Sequence, residues 1–372
     1  MNSKISIVKC DSYNRELVCA KVKEAIDLLG GITAFIKPAS CVLVKPNLLM
    51  GKEPESGVTT HPEVVRAVVR VLKEIDCRII IGDGPSVFGR HSGDVDNVYE
   101  RTGIKRISEE EGIELVKFEK KRWRGKFPLT TWLDNCDCLV SIPKFKTHEL
   151  MILTGAIKNL YGLVWGTHKA EIHKNNFYVR DFARVLVDIY SEVRPNLTVI
   201  DGITTMEGDG PATAGKLRQD NLLLAGADCV ALDAVLAKIM GLEPFDIAST
   251  KEAAGRGLGI ADIPAIEICG QPLEDVIGRP FLLPSTSFKK KLPEPVIAFA
   301  RSLIKFYPCA ERKNCIRCAA CIQACPNKVI SMKAKGIVFD YAKCISCFCC
   351  QEFCPASAIK IRKNWFTKLV GL

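Results

Sequence analysis

Cys315-Ile316-Arg317-Cys318-Ala319-Ala320-Cys321-Ile322-Gln323-Ala324-Cys325-Pro326 is repeated in kind at Cys344-Ile345-Ser346-Cys347-Phe348-Cys349-Cys350-Gln351-Glu352-Phe353-Cys354-Pro355, so one spacing, C-x2-C-x2-C-x3-C-P, occurs twice. Thiols three residues apart let a tight loop wrap one iron cubane, while the fourth thiolate crosses to the cluster of the other repeat. The spacing assigns Cys315, Cys318, Cys321 and Cys354 to one [4Fe–4S] cluster. Cys344, Cys347, Cys350 and Cys325 go to a second. Paired C-x2-C runs also serve zinc, but tandem duplication with a proline after each crossing cysteine argues for cubanes. Cys309 and Cys349 receive no role.

Outward from this duplication, residues 309–372 read as a small bacterial-ferredoxin-type α+β domain. Ahead of it, Pro280, Pro284, Pro293 and Pro295, with Lys289, Lys290 and Lys291 between them, mark residues 281–308 as a linker. A short amphipathic helix is expected at 296–306. It and residues 365–372 pack on the ferredoxin domain or make a weak contact with a membrane surface. Residues 285–372 carry 16 basic and 4 acidic side chains; the remainder carries 36 and 38. Some of that basic excess offsets the ionised thiolates, and the rest suits an acidic electron donor or acceptor protein. Nucleic acid is not expected, because no interleaved aromatic motif accompanies the charge.

Residues 1–280 alternate strand-like and helix-like patterns. Strands are expected at 5–8, 41–45, 78–81, 113–118, 138–142, 197–200, 222–225 and 266–269. Helices are expected at 16–29, 62–75, 179–193 and 231–240. This order predicts an α/β fold, a mainly parallel sheet with helices on both faces. The most apolar stretch, 222–242, contains Asp228 and Asp233, so no transmembrane segment is expected. The N-terminus lacks signal-peptide anatomy, and eight of the eighteen cysteines are assigned to metal, which implies a reducing compartment, so a cytoplasmic protein is expected.

Lys45-Pro46-Asn47-Leu48-Leu49, Thr60-His61-Pro62-Glu63, Gly82-Asp83-Gly84-Pro85, Pro143-Lys144-Phe145-Lys146-Thr147-His148, Thr154-Gly155-Ala156-Ile157-Lys158-Asn159 and Met206-Glu207-Gly208-Asp209-Gly210-Pro211 together resemble the blocks of the domain of unknown function 362 family. The likeness covers about residues 5–280. It implies an architecture, often with a fused ferredoxin domain in uncharacterised Fe–S center proteins, and it implies no reaction.

Ligands of open α/β sheets bind beyond the carboxyl ends of the strands. Lys45, Asn47, Asp83 and Asp201 follow such ends, and so do Lys144, Lys146 and His148, which share one face if the chain stays extended. Two ammonium groups and an imidazole suit a small anionic molecule. The expected catalytic set is Lys144, Lys146, His148 and Asp201. The expected substrate-binding set is Lys45, Asn47, His61, Asp83, Lys158, Asn159 and Glu207. His168 and His173 lie near Glu171 without a known zinc spacing, and Cys136 with Cys138 reads as a structural pair.

No G-x-G-x-x-G follows the first strand and no Walker loop is present, so no nucleotide cofactor is expected beside the two [4Fe–4S] clusters. Three readings stay open at this point. One is an iron–sulfur oxidoreductase that relays electrons to or from a small anion at the strand ends. The second is a non-catalytic electron carrier or cluster scaffold docking on a partner enzyme. The third is a non-redox enzyme with regulatory clusters.

Overall fold

Val42, Leu43 and Val44 alternate between two cores, and so do Ile79, Ile80 and Ile81 and also Leu222, Leu223 and Leu224. Successive side chains of a strand point to opposite faces, so both faces of this sheet are covered. In the computed structural model the described residues are 3–85, 95–166, 168–176, 178–212, 214–284, 306–334, 336–344, 348–356 and 358–364. The expected helix at 296–306 and the segment 365–372 lie outside them, apart from residue 306.

The strands are β1 (Ser3–Lys9), β2 (Cys41–Pro46), β3 (Arg78–Gly82), β4 (Glu114–Val116), β5 (Lys121–Arg124), β6 (Phe127–Thr130), β7 (Cys138–Ile142), β8 (Lys144–His148), β9 (Ile152–Thr154), β10 (Leu197–Gly208), β11 (Gly215–Gly226) and β12 (Ile266–Gly270). The main sheet runs β12-β1-β11-β10-β7-β2-β3-β4, with β8 pairing β10 and β9 pairing β8. Every neighbouring pair along that row is parallel except those made by β11, which is antiparallel to β1 and β10. The chain is thus an α/β fold on a mainly parallel sheet. Helices Arg15–Asp27 and Pro62–Lys73 cover one face, and Val179–Glu192 and Cys229–Ile239 cover the other.

Two elements run further than the apolar pattern predicts. β10 continues from Leu197 to Gly208 and β11 begins at Gly215, forming a long antiparallel ribbon. Asp201, Gly202, Thr204 and Thr205 interrupt the apolar run, so hydrophobic periodicity stops at Ile200 although the backbone ladder does not. Residues 279–282 close over this ribbon. Arg279 forks onto both oxygens of Glu207 at 2.9 and 3.0 Å, and Phe281 stacks on Phe145 with centroids 5.0 Å apart.

Beneath the site, the helix Pro62–Lys73 is tied to the helix Ile104–Glu111 by one buried guanidinium. Arg66 reaches Glu63 at 2.9 Å, Glu111 at 2.7 Å and Glu110 at 2.5 Å. Removing one partner of a buried ionic group costs about 3–5 kcal/mol, so Arg66→Met is expected to lower the unfolding free energy by that order in urea titrations. Burial tends to raise the carboxyl of Glu111, but Lys73, Arg66 and Arg70 outweigh it and hold it down at about 2. An unfolded carboxyl titrates near 4.3, so this pairing is fully present above that pH and lost as pH falls through about 2. The gap between wild type and variant should therefore narrow across that acid window, which urea midpoints at stepped pH will read.

The C-terminal region is built from two short antiparallel pairs. β13 (Phe306–Ala310) lies against β16 (Ile359–Lys363), and β14 (Ile330–Lys333) lies against β15 (Gly336–Phe339). Short helices Ala320–Gln323 and Cys349–Glu352 occupy equivalent places in the two sequence repeats. Each is entered from a left-handed residue, Ala319 at φ 64° and Phe348 at φ 57°. The duplication is therefore structural as well as sequential, and the region is a small ferredoxin-like α+β unit.

Candidate functional site

Parallel strands deliver their following residues to one edge of the sheet, and this edge gathers two lysine–aspartate pairs. At the end of β2, Lys45 is fully buried, with Nζ 2.8 Å from Asp83 Oδ1 and 3.1 Å from Asn159 Oδ1. Asp83, at the end of β3, also accepts from the amide of Leu48 at 2.8 Å. Asn159 is a hub: its oxygen receives Asn47 Nδ2 at 3.1 Å, and its Nδ2 donates to Ser141 Oγ at 2.9 Å. Lys158 and Asn159 ride on the helix Ala156–Asn159. Asp233 anchors the start of that helix by accepting the amides of Ala156 at 2.6 Å and Ile157 at 3.2 Å. Burial lifts the Asp233 carboxyl to about 7 against the pull of those amides.

The second pair lies where β1 and β7 end, and Asp201, expected just past a strand end, instead sits within β10 and pairs with Lys144 at the start of β8. Lys144 Nζ is 2.8 Å from Asp201 Oδ2, and both residues are 1% exposed or less. Tyr13, in the turn after β1, donates to Asp201 Oδ1 at 2.8 Å and accepts from Lys144 Nζ at 2.7 Å. His61 stacks on Tyr13 with centroids 3.7 Å apart, and its amide donates to Asp201 Oδ2 at 2.9 Å. Burial lowers His61 to about 4, with Asp201 opposing, so the imidazole is neutral near pH 7. Its Nδ1 accepts the amide of Glu63 at 3.2 Å, which leaves the proton on Nε2. Burial also pushes Lys144 and Lys45 below the ordinary ammonium range while Asp201 and Asp83 oppose it, and it drives the Tyr13 phenol up.

One loop joins the two groups. Asn47 and Thr60 close its base reciprocally, Asn47 N donating to Thr60 Oγ1 at 2.9 Å and Thr60 N donating to Asn47 O at 3.0 Å. Thr60 Oγ1 in turn donates to the carbonyl of Ile142 at 2.6 Å. Asn47 Oδ1 and Thr59 Oγ1 are buried without a hydrogen-bond partner among the described residues. Buried acceptors of this kind call for a ligand or ordered water.

Lys45, Asn47, Asp83 and Asn159 thus come together, as do His61, Lys144 and Asp201, while other expected members go elsewhere. Lys146 donates to the carbonyl of Val58. His148 uses Nδ1 to accept the amides of Leu150 and Met151 at 3.1 and 3.2 Å, holding the turn into β9. Glu207 is bound to Arg279 and to the amide of Leu282 at 3.1 Å, clasping residues 279–282. Cys136 meets Cys41 rather than forming its expected pair with Cys138, at 3.5 Å between sulfurs.

Residues without a motif complete the site. Tyr13 follows the first strand and carries only the general strand-end signal. Gly162 lies where a Cβ would sit 2.6 Å from Lys45 Nζ and closer still to Asp83 Oδ1, so any side chain there displaces the pair. Lys169 donates to the carbonyl of Gly84, and burial lowers it to about 8 with Lys45 and Lys158 reinforcing and Asp83 opposing. Its neighbour His168 makes ring contacts with Trp123 and Trp165, and lines a groove with Trp123, Glu171 and Ile172. Of the His173 side chain, which lies outside the described atoms, nothing follows.

In the C-terminal unit, Cys315, Cys318, Cys321 and Cys354 line one cavity. Cys325, Cys344 and Cys350 line another, beside Pro326 and Phe348. Cys347 lies outside the described residues. Each crossing sulfur accepts an amide four residues ahead, Val329 N to Cys325 at 3.4 Å and Ala358 N to Cys354 at 3.2 Å. Among the described residues no three ligand-type side chains converge on a single ion. Thiols set around a cavity are the donor set that a cubane takes. Cys349 packs with Ala324 and Phe353.

Comparisons with family models, with curated proteins and with solved structures each give a match. The family described as "Domain of unknown function (DUF362)" matches residues 42–238, and "4Fe-4S dicluster domain" matches residues 314–358. A thylakoid-associated protein of Synechocystis sp. is 33% identical over 267 residues, covering 70% of this chain and 81% of that protein. The lactate racemase apoprotein of Thermoanaerobacterium thermosaccharolyticum aligns with 65% of this chain at 11% identity and a TM-score of 0.37. This chain spans only 58% of that structure, and a likeness so slight bears on neither ligand nor activity. Among the described residues no helix is long and apolar enough to cross a membrane.

Proposed function

The chain belongs to the DUF362 family, a domain of unknown function, so its chemistry rests on its own residues, and we propose that it is an iron–sulfur oxidoreductase acting on a small anionic molecule at the strand ends. Two [4Fe–4S] clusters, held by Cys315, Cys318, Cys321 and Cys354 and by Cys344, Cys347, Cys350 and Cys325, supply single electrons when bound. The dicluster match supports the electron-transfer part of this reading. The substrate part rests on the two buried lysine–aspartate pairs, which sit where α/β sheets bind their ligands.

Charge and protons are both provided for. Lys45, Lys144, Lys158 and Lys169 stand against Asp83 and Asp201, so the edge carries a cationic excess suited to a carboxylate or phosphate. Electrons added singly to an organic acceptor have to be matched by protons. Tyr13, Asp201 and Lys144 form a continuous hydrogen-bonded chain that can hold and pass one, with neutral His61 stacked over it. Asn47 Oδ1 offers an unused acceptor for orienting the ligand. Lys146, His148 and Glu207 have bracing parts in this reading. The implied partners are the anion and an external one-electron carrier of acidic surface, drawn by the basic C-terminal region. The reading places the protein in the cytoplasm.

The observation that carries the proposal is the joining of both lysine–aspartate pairs by one loop, 47–60. Its test is reoxidation. Anaerobically prepared protein with about eight irons per chain is reduced and mixed with a panel of small carboxylates and phosphates. At least one is expected to restore the visible absorbance of the oxidised clusters catalytically. Tight binding from the panel without reoxidation would refute the redox assignment.

A further inference from the structure

The loop that closes on the site at its base touches the cluster unit at its far side. Asn47 and Thr60 pin the base. The intervening stretch is braced on the helix Val95–Arg101, where Glu53 pairs with Arg101 Nε at 3.2 Å. At Gly51 a Cβ would already contact Val98 and Arg101 within 3.6 Å, so the backbone lies close on that helix. From this braced position Lys52 Nζ donates to the carbonyl of Pro355 at 2.6 Å, and Pro355 directly follows the crossing thiol Cys354. Lys52 is five residues from Asn47, a span of at most about 18 Å even if fully extended.

From this juxtaposition we infer that Lys52 is the positioning residue that seats the Cys315–Cys318–Cys321–Cys354 cluster against the α/β unit and biases electrons towards it. The inference deepens the oxidoreductase reading by assigning an order: this cluster faces the site, and the cluster of Cys325, Cys344, Cys347 and Cys350 faces the external carrier. The physical reason is charge. A cubane with four thiolates gains one negative charge on reduction. A fixed ammonium held at the carbonyl of the residue that follows one ligand, in a part-buried contact, stabilises that reduced state relative to its neighbour. No lysine lines the carrier-facing cavity among the described residues, and Lys343, which precedes Cys344 in sequence, turns an exposed and screened side chain to Asp340, so the bias is one-sided. A carbonyl acceptor at 2.6 Å also fixes the distance between the units, which an electron step needs to be short.

The test is an electron-paramagnetic-resonance redox titration of the anaerobic full-length protein, which needs no substrate. Lys52→Gln is expected to move one of the two cluster potentials downward and leave the other in place. The ratio of the two reduced populations at half reduction should change by roughly tenfold, equivalent to about 59 mV for a one-electron couple. Iron content should be unchanged, and Lys52→Arg should restore most of the shift because it keeps the charge. In a Cys350→Ser background the Lys52→Gln shift should persist, which locates it at the Cys354 cluster. If Lys52→Gln leaves both potentials unmoved, or moves both equally, the inference fails. Because the titration is independent of any ligand, a negative reoxidation panel leaves it standing, and an unmoved potential leaves the oxidoreductase reading standing.

Discussion

Cys354→Ala is expected to reduce iron from about eight to about four atoms per chain and to destroy the cluster of the first repeat, although the residue belongs to the second. The expectation follows from placement. Cys354 lines the same cavity as Cys315, Cys318 and Cys321, while Cys325 of the first repeat lines the cavity of Cys344 and Cys350. Removing one thiolate leaves a cubane with an open iron, and binding free energy of this kind is folding free energy for the local unit. Pairs of substitutions separate the arrangement from any alternative. Cys354→Ala with Cys318→Ala should retain about four irons, because both strike one cluster. Cys354→Ala with Cys350→Ala should retain almost none, because each strikes a different one. Reversal of those two iron counts would sink the crossed assignment. The α/β unit should keep its unfolding transition in every case, since its two cores lie outside the cysteine-rich region.

The sheet was legible because its strands are buried on both faces, so apolar runs such as Val42–Leu43–Val44 and Ile79–Ile80–Ile81 declare themselves without reference to distant residues. The cluster unit was legible for a different reason: its ligands are set by local spacing. The site was legible only by position. Strand ends pointed to Lys45, Asp83, Lys144 and Asp201, but nothing local says that Lys144 meets Asp201 across 57 residues or that Lys45 meets Asp83 across 38. Lys144, Lys146 and His148 read as one ligand-facing row, and in the structure the whole strand is buried and each side chain has a protein partner, which the sequence does not announce. Glu207 was drawn towards a ligand role by its glycine-rich surroundings, whereas Arg279, 72 residues on, claims both oxygens. Tyr13 had no motif at all. Its place depends on β11, which lies between β1 and β10 and sets the turn after β1 within reach of Asp201 on β10.

Asp201→Asn should lower the rate at which a reactive carboxylate or phosphate reoxidises the reduced protein by about 10²–10⁴-fold, with iron content intact. The carboxylate is fully buried and accepts from Tyr13, Lys144 and the amide of His61, so an amide of the same shape keeps some contacts and loses the charge. That loss strands the Lys144 ammonium in a low-dielectric site, and the variant should also lose about 3–5 kcal/mol of stability. Stability and chemistry are then confounded, and the double variant Asp201→Asn with Lys144→Met separates them. Replacing both members of a buried ion pair removes the stranded charge, so the unfolding midpoint should recover much of the single variant's loss. The reoxidation rate should stay low, because the Tyr13 phenol no longer has a charged acceptor or an ammonium donor to exchange a proton with. A double variant that regains both stability and rate would show that the pair serves only to hold β8 against β10, and would place the proton chemistry at Lys45 and Asp83 instead.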